Sequence, residues 1–456
     1  MPAPRRIAVI DIGKTNAKVV LIDAETGAQL AARSTPNTVR RDGVYPHADV
    51  ERLADFILSS LKDIHAEHGI DGISITTHGA TAALMAGEQL ALPVLDYEHD
   101  GPEQTRAAYD AVRPAFGETL SPRLPNGLNI GAQLFWQAQM QAEAFATVTA
   151  ILTYPQYWAW RLTGVMASEV TSLGCHTDLW APETGALSSM VGEQGWAGLF
   201  PALRPANSVL GAILPEIATA TGLKGTTPVT CGIHDSNASL LPHLGAHATP
   251  FTILSTGTWV IAMTVGGSTA ALDPGRDSLA NVDAFGRPVP TARFMGGREF
   301  DMLAPTAVEP SAEDIAKIIG DDVQALPSFM PGVGPFPSAV GRWTKDPDLL
   351  SAGERTAAVS LYLALVAEAC LGLAGVGRQI IIEGPLARNV LFGQALAALT
   401  GVPVTASGDA TGTSLGASML FGGKAIAASP GQVRLPLQAE GFAAYCARWR
   451  TRLQTP

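Results

Sequence analysis

Residues 7–23 read Ile-Ala-Val-Ile-Asp-Ile-Gly-Lys-Thr-Asn-Ala-Lys-Val-Val-Leu-Ile-Asp, an apolar strand, a short polar turn and an apolar return strand. This pattern predicts a β-hairpin. Residues 251–264 repeat the plan, with a Gly and Thr turn between two apolar strands. Such internal similarity predicts two related units that each open with a hairpin. No low-complexity linker separates them, so the predicted domains, 1–247 and 248–456, meet at an approximate boundary near 245–250.

Other patterns predict a mixed α/β fold, because strands alternate with helices. In the first half, helical periodicity from Val50 to Ala66 precedes a strand pattern at 70–77 and a strand at 230–235 runs into a helix. Residues 90–190 are irregular and rich in aromatics, amides and prolines, which indicates an insertion that builds a binding pocket. The later elements are predicted as a long apolar helix at 356–378, a strand at 379–384, and helices at 386–399 and 411–420.

Composition restricts the class of protein. The chain has 456 residues, 47% of them hydrophobic, which is enough for two cores. A formal net charge of −11 disfavours nucleic-acid binding.

The cysteines, which lack metal-site spacing, predict buried thiols in a reducing cytoplasm; they are Cys175, Cys231, Cys370 and Cys446. The N-terminal residues show no signal-peptide pattern, and the helix at 356–378 is predicted to be buried in a core rather than in a membrane. The oligomeric state stays open, with a homodimer among the alternatives.

The first hairpin turn is a candidate phosphate site. It lacks the Walker pattern, which argues against a P-loop kinase. Gly13 lets backbone amides approach phosphate oxygens, and Thr15 and Asn16 add side-chain donors. Lys14 or Lys18 could supply positive charge. A plain hairpin turn is the alternative interpretation of this segment taken alone.

The second turn, at residues 255–258, offers three hydroxyls and a flexible backbone at Gly257, next to Thr258. Turns of this kind are common, but two copies at the heads of two similar units favour nucleotide binding. Further along, residues 383–389 end a strand and open a helix. Gly384 and Asn389 are therefore candidate contacts for the base or ribose of a nucleotide. The glycines at 412–418 predict close helix packing rather than ligand contact.

Asp235 is the candidate catalytic base, because it follows an apolar strand and precedes a helical run. The helix dipole and backbone N–H donors are expected to keep its carboxylate ionised, ready to accept the proton of a sugar hydroxyl. The same residue is a good helix N-cap, and the two interpretations are compatible. Asp11 cannot face phosphate without a cation between them, which predicts a magnesium ion held through water by Asp11 and Asp235.

Several polar and aromatic residues are candidate sugar contacts. A histidine and glycine end the strand at 70–77, where ligands gather in α/β sheets. Others, within the irregular insertion, could line a polyol pocket with acceptors and one stacking face. A purely structural role is the alternative for each of them. The candidates are His78, Gly79, Asp96, Gln133, Trp136 and His234.

Taken in order, these motifs resemble the FGGY carbohydrate kinases over about residues 6–425. The motifs are Ile10-Asp-Ile-Gly-Lys-Thr-Asn16, His78-Gly79, Gly232-Ile-His-Asp235, Ser255-Thr-Gly-Thr-Trp259 and the segment 383–389. The resemblance implies two ribonuclease-H-like domains of the actin, hexokinase and Hsp70 type that flank a cleft for ATP and sugar. It also implies ATP and Mg²⁺ as cofactors, Asp235 as general base and a small-molecule sugar as substrate.

Within the family, the chain is most similar to the rhamnulokinases and fuculokinases, of the rhizobial rhamnose-pathway type. This implies phosphorylation of L-rhamnulose at its primary hydroxyl, with L-fuculose, L-xylulose, L-ribulose or D-xylulose as alternatives. Gln133 stands where the family usually carries lysine, and residues 96–100 lack an arginine that many members have, which leaves the sugar open. The alternative classes are an actin- or Hsp70-like ATPase, an inactive sugar-sensing homologue and an acyl-phosphate kinase.

Overall fold

The structure is a computed structural model that describes residues 3–407, 412–422 and 431–454. The strands before residue 247 are β1 Arg6–Ile12, β2 Asn16–Asp23, β3 Gln29–Pro36, β4 Val39–Arg40, β5 His47–Ala48, β6 Gly72–Thr77, β7 Ala82–Ala86, β8 Gln89–Leu90, β9 Ala150–Thr153, β10 Trp180–Ala181, β11 Ala186–Leu187, β12 Val209–Ala212, β13 Pro228–Thr230 and β14 Ile233–His234. The later strands are β15 Phe251–Thr256, β16 Val260–Val265, β17 Ser278–Val282, β18 Pro288–Phe294, β19 Ala325–Leu326, β20 Arg342–Trp343, β21 Ile380–Glu383, β22 Val404–Ala406 and β23 Gln432–Arg434.

The α-helices before residue 247 are α1 Val50–His68, α2 Arg106–Val112, α3 Phe116–Thr119, α4 Ile130–Met140, α5 Ala142–Phe145, α6 Tyr154–Thr163, α7 Val170–Leu173, α8 Ser189–Glu193, α9 Pro215–Thr221 and α10 Asp235–Ala246. The later α-helices are α11 Gly296–Leu303, α12 Ala312–Gly320, α13 Ala352–Ala374, α14 Val390–Thr400, α15 Thr413–Ser418 and α16 Phe442–Gln454.

The chain divides into two compact units. The N-terminal unit contains residues 3–246 and two returning segments, 280–288 and 412–422. The C-terminal unit contains the other described residues from 247 onward. The predicted domains, 1–247 and 248–456, have no returning segments, and that division stays a prediction.

The main sheet of the N-terminal unit runs β12-β13-β6-β1-β2-β3, and β14 also pairs with β6. The hairpin strands β1, β2 and β3 are antiparallel, whereas β6, β13 and β14 continue the sheet in parallel. Ile7 and Val9 pack into one core, and Ala8, Ile10 and Ile12 pack into another on the opposite face. Burial on both faces explains why these strands read as continuous apolar runs.

The C-terminal unit repeats this arrangement. Its sheet contains the path β18-β16-β15-β21-β22-β23, with antiparallel pairing of β15 to β16 and β16 to β18, and parallel pairing of β15 to β21 and β21 to β22. A three-stranded antiparallel meander followed by parallel strands is the ribonuclease-H-like order in both units. The predicted α/β class and the internal repeat are therefore confirmed.

The helix α13 is the longest of the described helices. By length and composition it could cross a membrane, but 83% of its most apolar stretch is buried within the protein. Its start is fixed by a capping box, in which Ser351 and Glu354 satisfy each other's backbone N–H groups. It packs on α14 and β16. The interpretation of this segment as a core helix is confirmed.

Three predicted elements are present with bounds that differ from the prediction. The strand at 230–235 is broken, because the backbone at Gly232 turns with a φ of +90° between β13 and β14. The predicted helix at 386–399 begins with a 3-10 turn, so α14 starts only at Val390. The helix at 411–420 is not the last one; it shortens to α15 and a 3-10 turn within the described residues, and α16 follows it. The insertion at 90–190 is also more regular than expected, since it contains α4 and α6.

Candidate functional site

Asp235 begins α10 at the end of the broken strand, in the N-terminal unit. Its Oδ1 accepts a hydrogen bond from the backbone N–H of Ser236 at 2.6 Å and lies 3.2 Å from Nε2 of His234. One third of the side chain, 33%, stays exposed. Among the described residues Oδ2 has no hydrogen-bond partner. The carboxylate is thus anchored through one oxygen, and the other can accept a proton.

The neighbouring His234 is a neutral donor. Burial lowers its pKa to about 4, so the ring carries no charge at neutral pH. Nδ1 lies 3.3 Å from Nδ2 of Asn237, which can only donate, so the ring proton is assigned to Nε2. Nε2–H then donates to Asp235, and the contact between these two residues is a hydrogen bond rather than an ion pair. His234 therefore orients the carboxylate without cancelling its charge.

The pKa of Asp235 differs from the expectation. The helix N-terminus was expected to keep the carboxylate ionised, but burial raises the pKa of Asp235 and outweighs the donors on Ser236. The charge of a protonated His78 would also lower the pKa of Asp235, and burial outweighs this effect too. A carboxylate with a raised pKa is a stronger proton acceptor. The environment therefore favours a base at this position.

Asp11 lies at the end of β1, where its Oδ2 accepts a hydrogen bond from Oγ of Ser414 at 3.0 Å. Burial raises the pKa of Asp11, and the charge of Asp235 raises it further, while Ser414 and Lys18 lower it. The two carboxylates therefore destabilise each other's charged forms. Among the described residues no group of three or more His, Cys, Asp and Glu could enclose a metal ion. This pair fits an ion that keeps most of its water, as Mg²⁺ does.

Replacing Ser414 with Ala tests whether its hydroxyl holds Asp11 in place. The pKa of Asp11 is expected to rise further, so the carboxylate should be protonated, and Mg²⁺ lost, at a higher pH than in the wild type. Loss of a partner that orients a metal ligand typically weakens metal affinity by about 10-fold or more. The measurement is equilibrium titration of Mg²⁺ binding between pH 5 and pH 8. Ser418→Ala is the control, because among the described residues that hydroxyl bonds only the carbonyl of Leu415 in its own helix. Equal Mg²⁺ affinities in the two variants would contradict the role of Ser414.

The first hairpin turn is tightly closed. The N–H of Gly13 donates to the carbonyl of Asn16 at 2.9 Å, and Nδ2 of Asn37 donates to the carbonyl of Gly13 at 2.8 Å. Thr15 and Asn16 are exposed at its tip, and Lys18 is exposed on β2. The turn is a rigid platform with exposed polar groups, and its predicted phosphate contacts stay a prediction.

Lys14 has partners that its sequence position did not indicate. Its ammonium group forms ion pairs with Asp96 and, at 3.4 Å, with Glu98, and it lies 4.6 Å from the centre of the Tyr97 ring. A cation predicted to bind phosphate is therefore joined to the segment predicted to bind sugar. No short-range pattern could reveal this pairing, because 82 positions separate Lys14 from Asp96.

His78 and Gly79 lie beside the candidate base. The ring of His78 packs 5.5 Å from that of Tyr97, and its Nδ1 lies 2.9 Å from the carbonyl of Gly79. A Cβ added at Gly79 would lie 2.7 Å from Nε2 of His234. Glycine is thus required for this close approach, and the structure brings these predicted sugar contacts together with His234.

Two other predicted sugar contacts lie inside the wall of the insertion. Gln133 is 1% exposed, and its Nε2 donates to the carbonyls of Ala80, at 2.7 Å, and Gly127. Trp136 is also buried, and its Nε1 donates to Gln104 at 3.2 Å. These contacts fix the segments around the pocket, and direct sugar contact by either residue stays a prediction.

In the C-terminal unit, the second hairpin turn mirrors the first. The N–H of Gly257 donates to the carbonyl of Trp259 at 2.8 Å, and Gly257 and Thr258 are exposed. The start of α11 packs directly on this turn, since a Cβ on Gly297 would lie 1.8 Å from the carbonyl oxygen of Gly257. Sequence reasoning missed Gly297, although a Gly-Gly pair at a helix start is a visible signal of close packing.

Gly384 follows β21 with a φ of +82°, and a Cβ there would lie 1.9 Å from the carbonyl oxygen of Thr256. The hydroxyl of Thr256 donates to the carbonyl of Glu383 and accepts from the N–H of Leu386 at 3.1 Å. The predicted adenosine segment is therefore locked to the end of β15, next to the second turn.

Asn389 is the N-cap of α14. Its Oδ1 accepts from the N–H of Phe392 at 3.0 Å, and its Nδ2 donates to Oγ of Ser360 at 2.8 Å. Both ends of the amide are thus used within the unit. Its predicted contact with the nucleotide stays a prediction.

Comparisons with known proteins place these features in one family. The FGGY family of carbohydrate kinases, N-terminal domain, matches residues 6–242, and the carbohydrate kinase FGGY, C-terminal domain, matches residues 248–430. A solved carbohydrate kinase from Novosphingobium aromaticivorans is 37% identical, with a TM-score of 0.90 over 99% of both chains.

Curated relatives are more distant. An L-fuculokinase from Salmonella typhi is 26% identical over 276 residues, which cover 56% of this chain and 56% of that protein. A xylulose kinase from Escherichia coli (strain K12) is 26% identical over 246 residues, which cover 50% of this chain and 48% of that protein. The chain therefore spans about half the length of the curated relatives it matches. The family matches along both halves show that the chain belongs to the FGGY family of carbohydrate kinases.

Proposed function

We propose that the chain is an ATP-dependent kinase that phosphorylates a ketose at a primary hydroxyl, with L-rhamnulose as the preferred sugar. The observation that carries this proposal is the state of Asp235: one oxygen is anchored by His234 and Ser236, the other can accept a proton, and the pKa is raised. Family membership supports the reaction class. The predicted location is the cytoplasm.

The chemistry follows from that carboxylate. As the sugar oxygen forms its bond to the γ-phosphorus of ATP, the bond from that phosphorus to the β,γ-bridging oxygen breaks, and ADP leaves. The hydroxyl proton passes to Oδ2 of Asp235. In the proposal, the phosphate contacts of the N-terminal unit are Gly13, Thr15, Asn16 and Lys18. The nucleotide contacts of the C-terminal unit are Gly257, Thr258, Gly384 and Asn389.

The residues present fit a magnesium ion. Asp11 and Asp235 offer the carboxylate oxygens that Mg²⁺ prefers, and a cation would relieve the repulsion from Asp235 that adds to the effect of burial on the pKa of Asp11. When bound, Mg²⁺ neutralises phosphate charge. Ser414 would then orient Asp11, and His234 would orient Asp235.

The choice of sugar draws on the pocket residues. His78 and Tyr97 present an aromatic wall, which suits the methyl group of a 6-deoxyketohexose such as L-rhamnulose. Asp96 and Glu98, although paired with Lys14, supply acceptors for hydroxyl donors. L-Fuculose and the pentuloses L-xylulose, L-ribulose and D-xylulose are the alternatives.

A panel assay tests the proposal. ADP release is measured with L-rhamnulose, L-fuculose, L-xylulose, L-ribulose, D-xylulose and glycerol at matched concentrations. We expect the highest kcat/KM with L-rhamnulose, and about a 10- to 200-fold lower value for sugars that lack the methyl group, since one methyl group contributes that much in an apolar pocket. A pentulose preferred over both deoxyhexuloses would contradict the sugar assignment.

The same assay, extended to acetate and propionate and combined with a titration of sugar binding, separates the alternative classes. An actin- or Hsp70-like ATPase would release ADP at a rate that no sugar changes. A sugar-sensing homologue would bind a sugar without turnover. An acyl-phosphate kinase would turn over acetate or propionate and no ketose. Asp11 and Asp235 are both present, which favours an active kinase over a sensor.

A further inference from the structure

We propose that Glu169 and Thr171 are positioning residues that hold the catalytic segment 231–235 in place through the backbone of His234. This inference rests on the proposed role of Asp235. Neither residue touches Asp235, and Thr171 contacts His234 only at its backbone N–H, so both act through the geometry of the segment.

The segment needs such support because its strand is broken. Between β13 and β14, Cys231 and Gly232 leave the regular ladder, and buried backbone groups there need other partners. Gln156, which is fully buried, supplies one set: its Nε2 donates to the carbonyls of Cys231 at 3.0 Å and Gly232 at 3.3 Å. The carbonyl side of the break is therefore satisfied by a buried side chain.

The N–H groups of Cys231 and Gly232 donate to the carbonyls of Ser208 at 2.8 Å and Ala206 at 3.3 Å, and Thr171 supports the segment just after the break. The backbone N–H of His234 donates to Oγ1 of Thr171 at 3.0 Å. Because that hydroxyl accepts from His234, its own proton points elsewhere, and it donates to Oε2 of Glu169 at 2.5 Å. Glu169 thus sets the direction of the hydroxyl, and the hydroxyl fixes the peptide that precedes Asp235.

The carboxylate of Glu169 is held in a fixed orientation by several hydrogen bonds. It is fully buried, and its carboxylate also accepts from the N–H of Thr171 at 3.0 Å and of Ser172 at 3.3 Å. No ion pair to Glu169 is found in the part of the chain that the structure describes, and burial raises its pKa to about 7. A buried carboxylate without a cation is expensive to keep. In this geometry the carboxylate accepts the proton of the Thr171 hydroxyl, so that the hydroxyl oxygen accepts from His234.

The test is a double-mutant cycle. Glu169→Gln places an amide N–H₂ against the Thr171 donors, and Thr171→Val removes the hydroxyl at nearly constant shape. Each is expected to lower kcat by about 10- to 100-fold, because a shift of about 1 Å at a catalytic group costs that much. KM for ATP should stay near the wild-type value. The double variant should lose no more than the more impaired single variant, since both break one relay.

Thr171→Ser is the rescue variant, because it keeps the hydroxyl, and its kcat should stay close to that of the wild type. Asp283→Asn is the control for loss of a buried carboxylate. Asp283 is also fully buried and accepts backbone N–H bonds from Phe285 and Arg287, but it is paired with the Arg287 guanidinium at 2.6 Å, and all these partners belong to its own turn. Its kcat should be unchanged. If Glu169→Gln does not fold, the comparison of Thr171→Val with Thr171→Ser still tests whether the Thr171 hydroxyl positions the catalytic segment.

Amide hydrogen exchange of the peptide 231–237 provides a readout that needs no substrate. In Thr171→Val the amide of His234 loses its acceptor and should exchange faster than in the wild type and in Thr171→Ser. Unchanged exchange, or single losses of kcat that multiply in the double variant, would overturn the inference. A wild type that phosphorylates no sugar would instead refute the proposed function, while the exchange experiment would still test the relay.

Discussion

Asp235→Asn is expected to lower kcat by about 10²- to 10⁴-fold, which is the usual contribution of a positioned general base. Asparagine keeps the shape and can still accept from Ser236, but it cannot take the proton of the sugar hydroxyl. Affinity for ATP should change by only a few-fold, because the predicted nucleotide contacts lie elsewhere. Steady-state kinetics with the preferred sugar, together with equilibrium titration of a nucleotide, measures both effects.

The pH profile provides an independent check. Because burial raises the pKa of Asp235, kcat/KM of the wild type should fall on the acidic side at a pH above the ordinary aspartate range. The residual activity of Asp235→Asn should lack that fall. Asp63→Asn, on the exposed face of α1, is the matched control and should behave as the wild type. Normal turnover of Asp235→Asn would refute the assignment of the base.

Gly384→Ala should have the second large effect, on both stability and nucleotide binding. Its φ of +82° costs a side chain about 1–3 kcal/mol, and forcing a methyl group to within 1.9 Å of the Thr256 carbonyl oxygen adds about 1–3 kcal/mol or more. The backbone must move to relieve this contact, so the end of β15 and the adenosine segment should separate. Thermal unfolding and ATP titration measure the two consequences.

The control variant Gly401→Ala separates the cost of the positive φ from the cost of the close contact. Gly401 ends α14 with a φ of +71°, and a Cβ there meets nothing within 4 Å. This variant should therefore lose only the conformational part of the stability and should keep its affinity for ATP. If Gly384→Ala is no less stable than Gly401→Ala and binds ATP equally well, the close contact has no role in nucleotide binding.

The sequence was sufficient to predict the repeated fold. Both hairpins are strongly apolar at strand spacing, and in each unit the same strand order follows, so local patterns carried that information. Elements with fewer apolar residues were missed. In α16 the buried positions are Phe442, Tyr445, Cys446 and Trp449, at helical spacing but within a polar segment.

The contacts around the candidate site could not be predicted in this way, because they join distant parts of the chain. Ser414 reaches Asp11 across 403 positions, and Thr171 reaches His234 across 63. Side-chain chemistry at such separations depends on how the sheets and helices pack.

The amino-acid order alone determined which residue types stand at the ends of the strands: Asp11, Asp235 and the turn glycines. Folding decided how those groups behave. Burial raised the pKa of Asp235 against the influence of the helix start, and packing directed Lys14 to Asp96. The reason is that strand propensity and turn chemistry act between neighbours in the chain, whereas desolvation and charge pairing act between neighbours in space.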